Sequence, residues 1–312
     1  MKFKRKLFLS ILLVSTVFMS ACVYIVLPEG VSMSSGQGEG ENQGWTGLVI
    51  NVGEAETGGL HVDITIRNDT GAWSTMRAAD NKPAVLRSED GKTSTCDTVM
   101  IGTGGHRLPP GFQMRGYVIK ENDQTVTQLL FVECAGATTA AGATITIPTI
   151  SFLGEYDKFV EVEQTNKVEG ELELNLDEVI TDLTYPIASP VEGLILPADA
   201  QITGLSDNVV TLLEAQRNET GFQFNWQNTN PTKFALKTHI GYPPVIGEDG
   251  IIYGVYVTWD LPDVPLTPAQ GSATWSTDVA VPAEVGGLHI LLGVESNKPK
   301  TYLFYVLDIT DR

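Results

Sequence analysis

The sequence predicts an all-β protein: two antiparallel β-sandwich domains in tandem, set behind one N-terminal hydrophobic helix. Three observations carry this. Beyond residue 28 the apolar residues fall in short β-branched runs, several of which alternate with polar neighbours at period two. No window of helical length in that region holds an i, i+3, i+4 pattern. Turn-forming landmarks also recur in the same order about 160 residues apart, as an internal repeat requires.

The run 7–28 is 22 residues without a charge, close to the roughly 20 that cross a bilayer core as a helix. Lys2, Lys4, Arg5 and Lys6 precede it and should stay on the cytoplasmic side, which places the rest of the chain outside. Within the run, Met19-Ser20-Ala21-Cys22 resembles the lipobox of bacterial lipoproteins, although Leu is usual where Met19 stands. That resemblance implies that Cys22 becomes the lipid-modified first residue of the mature chain. Two other readings stay open. One is an uncleaved helix in which Cys22 is only a small apolar residue. The other is an ordinary signal peptide cut near Ser20-Ala21-Cys22. All three export the chain, so the expected location is the cell membrane, with an anchor and extracellular folded domains.

Residues 29–44 are rich in Gly, Ser, Glu and Gln and read as a flexible tether. The first domain is expected over 45–154. There Leu60-His61-Val62-Asp63-Ile64-Thr65-Ile66 alternates as a strand with one wet face, and further apolar segments follow at 84–86, 112–119, 125–132 and 143–150. Between 155 and 182, ten acidic residues face only Lys158 and Lys167. Period-two alternation at 159–163 and 171–177 makes this an acidic hairpin or pair of closing strands between the domains. The second domain, 183–312, repeats the strand pair at 209–213 and 222–226 and continues with apolar runs at 251–259, 272–281, 288–292 and 302–309.

The repeat rests on three landmarks. Asn68 matches Asn228 at a spacing of 160, Glu89-Asp90-Gly91 matches Glu248-Asp249-Gly250 at 159, and Gly111 of Leu108-Pro109-Pro110-Gly111 matches Gly271 at 160. Each is turn chemistry between strands. An Asn after the second strand and an L-x-P-G step before a later one resemble immunoglobulin-like domains of bacterial lipoproteins, classed as domains of unknown function. The resemblance covers about 45–150 and again 200–312. It implies an extracellular β-sandwich used for binding or assembly, and it brings no catalytic residues.

Net charge is −18 with a pI near 4.5, which repels nucleic-acid phosphate and anionic headgroups and so excludes nucleic acid as a partner. Cys96 and Cys134 are the two cysteines beyond the anchor, and in an exported chain they are expected to pair. The four histidines, His61, His106, His239 and His289, lie in no H-E-x-x-H motif, and no G-x-S-x-G elbow occurs. Hence neither a catalytic set nor a cofactor is expected. His61 and Asp63 share one strand face, as a metal pair or as a plain solvent face. His106 and Arg107 sit in a Gly-rich loop, as an anion grip or a connection. Tyr256, Trp259 and Trp275 are core residues or, if exposed, a platform for a glycan or a surface protein. The expected role is non-enzymatic binding, adhesion or assembly through an unknown surface protein or glycan. A hydrolytic or carbohydrate-active site on the second domain, or a Ca²⁺-stabilised stalk at 155–182, are the alternatives.

Overall fold

The computed structural model describes residues 44–56, 58–121, 124–137, 139–153, 167–187, 191–204, 206–236, 239–240, 243–254, 265–295 and 302–311. Among them every regular element is a β-strand, as the sequence predicts. They fall within one compact unit, Gly40–Arg312. The expected helix at 7–28, the tether up to residue 43 and the strand at 159–163 lie outside the described residues.

The first half supplies β1 (Trp45–Glu54), β2 (Leu60–Asn68), β3 (Ser74–Ala78), β4 (Val85–Arg87), β5 (Thr93–Thr95) and β6 (Thr98–Met100). It continues with β7 (Gln113–Met114), β8 (Gly116–Glu121), β9 (Gln124–Leu129), β10 (Phe131–Cys134), β11 (Thr144–Leu153) and β12 (Lys167–Asn175). One sheet runs β1-β2-β10-β6 with β7 also on β2; the facing sheet runs β12-β11-β4-β5 with β3 also on β11. Alternation decides which side chains meet between them. Val62, Ile64 and Ile66 point inward from β2, Ile145 and Ile147 from β11, and Leu172 and Leu174 from β12, around Trp73, Met76 and Phe112. The acidic β12 therefore closes the edge of this sheet, with its leucines inside and Glu171 and Glu173 outside.

In the second half follow β13 (Ile195–Pro197), β14 (Gln201–Thr203), β15 (Val209–Asn218), β16 (Gly221–Asn230) and β17 (His239–Ile240). Then come β18 (Val245–Ile246), β19 (Ile251–Tyr253), β20 (Gly271–Ala280), β21 (His289–Glu295) and β22 (Tyr302–Asp308). A four-stranded sheet runs β14-β15-β16-β20. Opposite it stands an eight-stranded sheet, β13-β22-β21-β18-β19-β8-β9, with β17 on β21. Phe222, Phe224 and Trp226 of β16 fill the core between them.

The middle of the eight-stranded sheet, β22-β21-β18-β19, is buried on both faces. Ile246, Ile252, Leu291 and Val306 belong to the first core, while Val245, Ile251, Ile290, Leu292 and Leu307 belong to the second. Neighbours in sequence thus serve different cores. This is why these segments read as unbroken apolar runs rather than as alternation. Trp73 stacks on Phe304 with ring centroids 5.1 Å apart, which fastens the first core to β22.

Two of the expected strands, 112–119 and 125–132, are each broken in two. The chain pairs with β2 along β7, leaves the sheet, and returns to β2 along β10. The Leu130 amide donates to the Arg115 carbonyl at 2.9 Å and closes the base of the excursion. In between, β8 and β9 form an antiparallel ribbon, and β8 joins β19 in parallel. In the second half the corresponding strand, β20, pairs with β16 along its whole length. The ribbon is an insertion of the first half that completes the sheet of the second. The physical cause of the break is that Gly116 and its neighbours find partners in another sheet, a long-range fact that periodicity does not carry.

Candidate functional site

The asparagine landmark of the repeat is a site of buried polar bonding. Asn68 ends β2 fully buried; its Nδ2 donates to the carbonyls of Ala72 and Leu108, both at 2.7 Å, and its Oδ1 accepts from the amide and hydroxyl of Thr70. Asn230 ends β16 with the same set: Nδ2 donates to Phe234 at 2.7 Å and Pro268 at 3.0 Å, and Oδ1 accepts from Thr232. The counterpart of Asn68 is therefore Asn230 and not Asn228, which instead bonds Asn208 and Thr267 inside the core. Asn228 shares the alternate, core-facing side of the strand, so two candidate asparagines stand two residues apart and spacing alone selected the wrong one. The Pro-Gly landmark shifts similarly. Gly111 has φ 81°, and the residue in its place is Gln270 with φ 51°, one before Gly271. Gly91 and Gly250 do correspond, each with positive φ and each donating to the carbonyl three residues back.

On the wet face of β2, His61 sits between two carboxylates. Its Nε2 lies 2.9 Å from Asp63 Oδ1 and its Nδ1 lies 3.0 Å from Glu133 Oε1. Asn51 Nδ2 donates to the other Asp63 oxygen at 2.9 Å, and the Phe131 ring stacks on the imidazole at 5.1 Å. Register explains the cluster, because Glu133 is opposite His61 and both Asn51 and Phe131 are opposite Asp63. Partial burial lowers the His61 pKa, but the hydrogen bonds and charges of Glu133 and Asp63 outweigh it and raise the value above the ordinary one. The raised value favours the protonated ring, and both ring nitrogens are committed to carboxylates. A metal would need one of them free, and among the described residues no group of three or more His, Cys, Asp or Glu is placed to hold a metal ion. Sequence reasoning had His61 and Asp63 but not Glu133, which is 72 residues on in the chain.

The Gly-rich loop turns inward. His106 is buried, 6 % exposed, and burial pushes its pKa down to about 4. The Arg107 guanidinium donates to the Trp73 carbonyl at 3.1 Å and lies 5.4 Å over the Phe304 ring. The pair consolidates the joint between the halves and is not arranged as an anion grip.

Cys96 and Cys134 are joined in a disulfide, as expected, tying the chain just after β5 to β10 and so linking the two sheets of the first half. Trp275 is half-buried on β20, directly opposite Trp226, and packs against the second core. Cys22, Tyr256 and Trp259 lie outside the described residues. Two open recesses lie on the strands. One, of about 410 Å³, is bounded by Arg87, Thr146, Pro148, Glu171 and Glu173 on the outer face of the first half. The other, of about 600 Å³, lies around Leu213, Glu214, Asn225 and Ser276 beside Trp275. Among the described acidic residues of 167–182, Glu169 is neutralised by Lys82 and Lys167 at 3.2 and 2.9 Å. No protein-family model and no curated protein sequence matches this chain.

Proposed function

We propose that the chain is a membrane-anchored protein of the cell envelope, with two immunoglobulin-like sandwiches outside the membrane and a non-enzymatic role in binding, adhesion or assembly. The fold part of this reading is supported by strand order. An immunoglobulin sandwich places strands A-B-E-D on one sheet and G-F-C on the other, with C′ added in some members. The order β1-β2-β10-β6 against β12-β11-β4-β5 follows that plan. In the second half β15-β16-β20 and β22-β21-β18-β19 follow it again.

The observation that carries the role is the shared central sheet. Two sandwiches joined only by a linker would swivel, as domains with small interfaces do. Here β8 pairs with β19, and the Arg115 amide and Nε donate to the carbonyls of Gly250 and Asp249 at 2.9 and 2.5 Å. The halves form a fixed body whose outer faces hold constant spacing, which suits presentation or assembly at a surface. The test is expression of the full chain in a bacterial host, with protease added to intact cells and mass analysis of the mature N-terminus. The reading expects cleavage of the exposed body and an acylated N-terminal Cys22, with Cys22→Ser releasing the chain from the membrane fraction or leaving it uncleaved. A chain that stays protected alongside a cytosolic marker, under conditions that admit protease to the outer surface of the inner membrane, overturns it.

A further inference from the structure

The geometry points to a self-pairing edge: we propose that β9 joins β9 of a second copy of this chain, making one continuous sheet across a two-fold axis. Strand β9 ends the eight-stranded sheet, and among the described residues β8 is its only partner strand. A terminal strand offers a row of backbone amides and carbonyls to any strand that approaches. Several of the other edges are protected, although β1, β6 and β20 also end their sheets. β12 carries Lys167, Glu169, Glu171 and Glu173; β13 is three residues long and ends in Pro197; β5 and β14 are three residues long. The β9 sequence, Gln124-Thr125-Val126-Thr127-Gln128-Leu129, has no charge and no proline, and Val126 and Leu129 are 38 % and 43 % exposed.

The sequence of the edge selects its occupant. Gln124-Thr125-Val126-Thr127-Gln128 reads the same in both directions about Val126. An antiparallel pair of two such strands, with Val126 opposite Val126, sets Thr125 against Thr127 and Gln124 against Gln128. Each is a favourable cross-strand pair, and both strands contribute identically, as a two-fold interface demands. Alternation adds that Gln124, Val126 and Gln128 share one face, so the valine contact is bracketed by amides. A net charge of −18 per chain opposes the approach of two copies, and an uncharged edge is where that opposition is least.

The test uses the full chain purified in a mild nonionic detergent. Sedimentation should give a protein mass of two chains at high concentration, falling to one on dilution. Val126→Lys and Val126→Asp should each weaken the dimer by about tenfold or more, because like charges then oppose each other on the axis. Mixing the two variants should restore it. With a single added cysteine and mild oxidation, Val126→Cys should crosslink to itself. Gln124→Cys and Gln128→Cys should crosslink to each other more readily than to themselves; the unmodified chain, with its Cys22, sets the background. Unchanged thermal midpoints show that the variants fold. The proposal is overturned by a chain that stays monomeric at high concentration, by a dimer indifferent to both charge variants, or by failure of the mixture to restore pairing.

Discussion

At the scale of single residues, Asn68 and Asn230 each satisfy two buried carbonyls and a turn amide. Truncating either leaves buried groups unpaired, so Asn68→Ala and Asn230→Ala should each cost about 2–4 kcal/mol in denaturant titrations. Gln270 holds a left-handed conformation that its counterpart Gly111 holds without strain. Gln270→Gly should therefore stabilise the protein by about 1 kcal/mol in the same assay. His106 is buried neutral with a pKa near 4, below its value in an unfolded chain. As pH falls below about 6.5 the unfolded chain takes up a proton that the folded one refuses, so stability drops until about pH 4. The loss should approach about 3 kcal/mol and should shrink in His106→Leu, measured as the pH dependence of the unfolding free energy. His61 acts in the opposite sense. Its raised pKa lends stability at low pH that fades as pH rises through the folded value.

At the scale of elements, the inserted ribbon is the part of the fold that sequence reasoning could not reach. Alternation placed β2, β12 and β16 and chose their inward faces, because each has one dry side and one wet side. It failed at Arg115 and Leu130, where the chain changes sheets with no change in composition. It was silent about Ile251-Ile252-Tyr253, where both faces are dry and neighbouring side chains enter different cores. The His61 cluster was half legible for a related reason. His61 and Asp63 are two apart on one strand, whereas Glu133 reaches them only through strand register. The ribbon has its own test. A Cβ at Gly116 would lie 2.6 Å from the Gln128 carbonyl oxygen, so Gly116→Val must splay β8 from β9. Amides of β8 and β9 should then exchange with solvent markedly faster, while those of β16, packed within the second core, keep their protection.

At the scale of the molecule, the two cores share one sheet and should melt together. Fluorescence of Trp73, in the first core, and of Trp226, in the second, should report one coincident thermal transition; two separated transitions would contradict a common sheet. Reducing the Cys96–Cys134 bond, which spans 38 residues of chain, should lower stability by about 4 kcal/mol on loop-closure grounds and shift that single transition as a whole. The ribbon has a further consequence for how chains meet. Because β8 and β9 belong by sequence to one half and by pairing to the other, the acceptor strand β19 need not come from the same molecule. A chain caught half-opened at high concentration could lend its ribbon to a neighbour and borrow one in return. The products would be strand-exchanged dimers, or open chains of molecules, each linked by the contacts that join the halves of one.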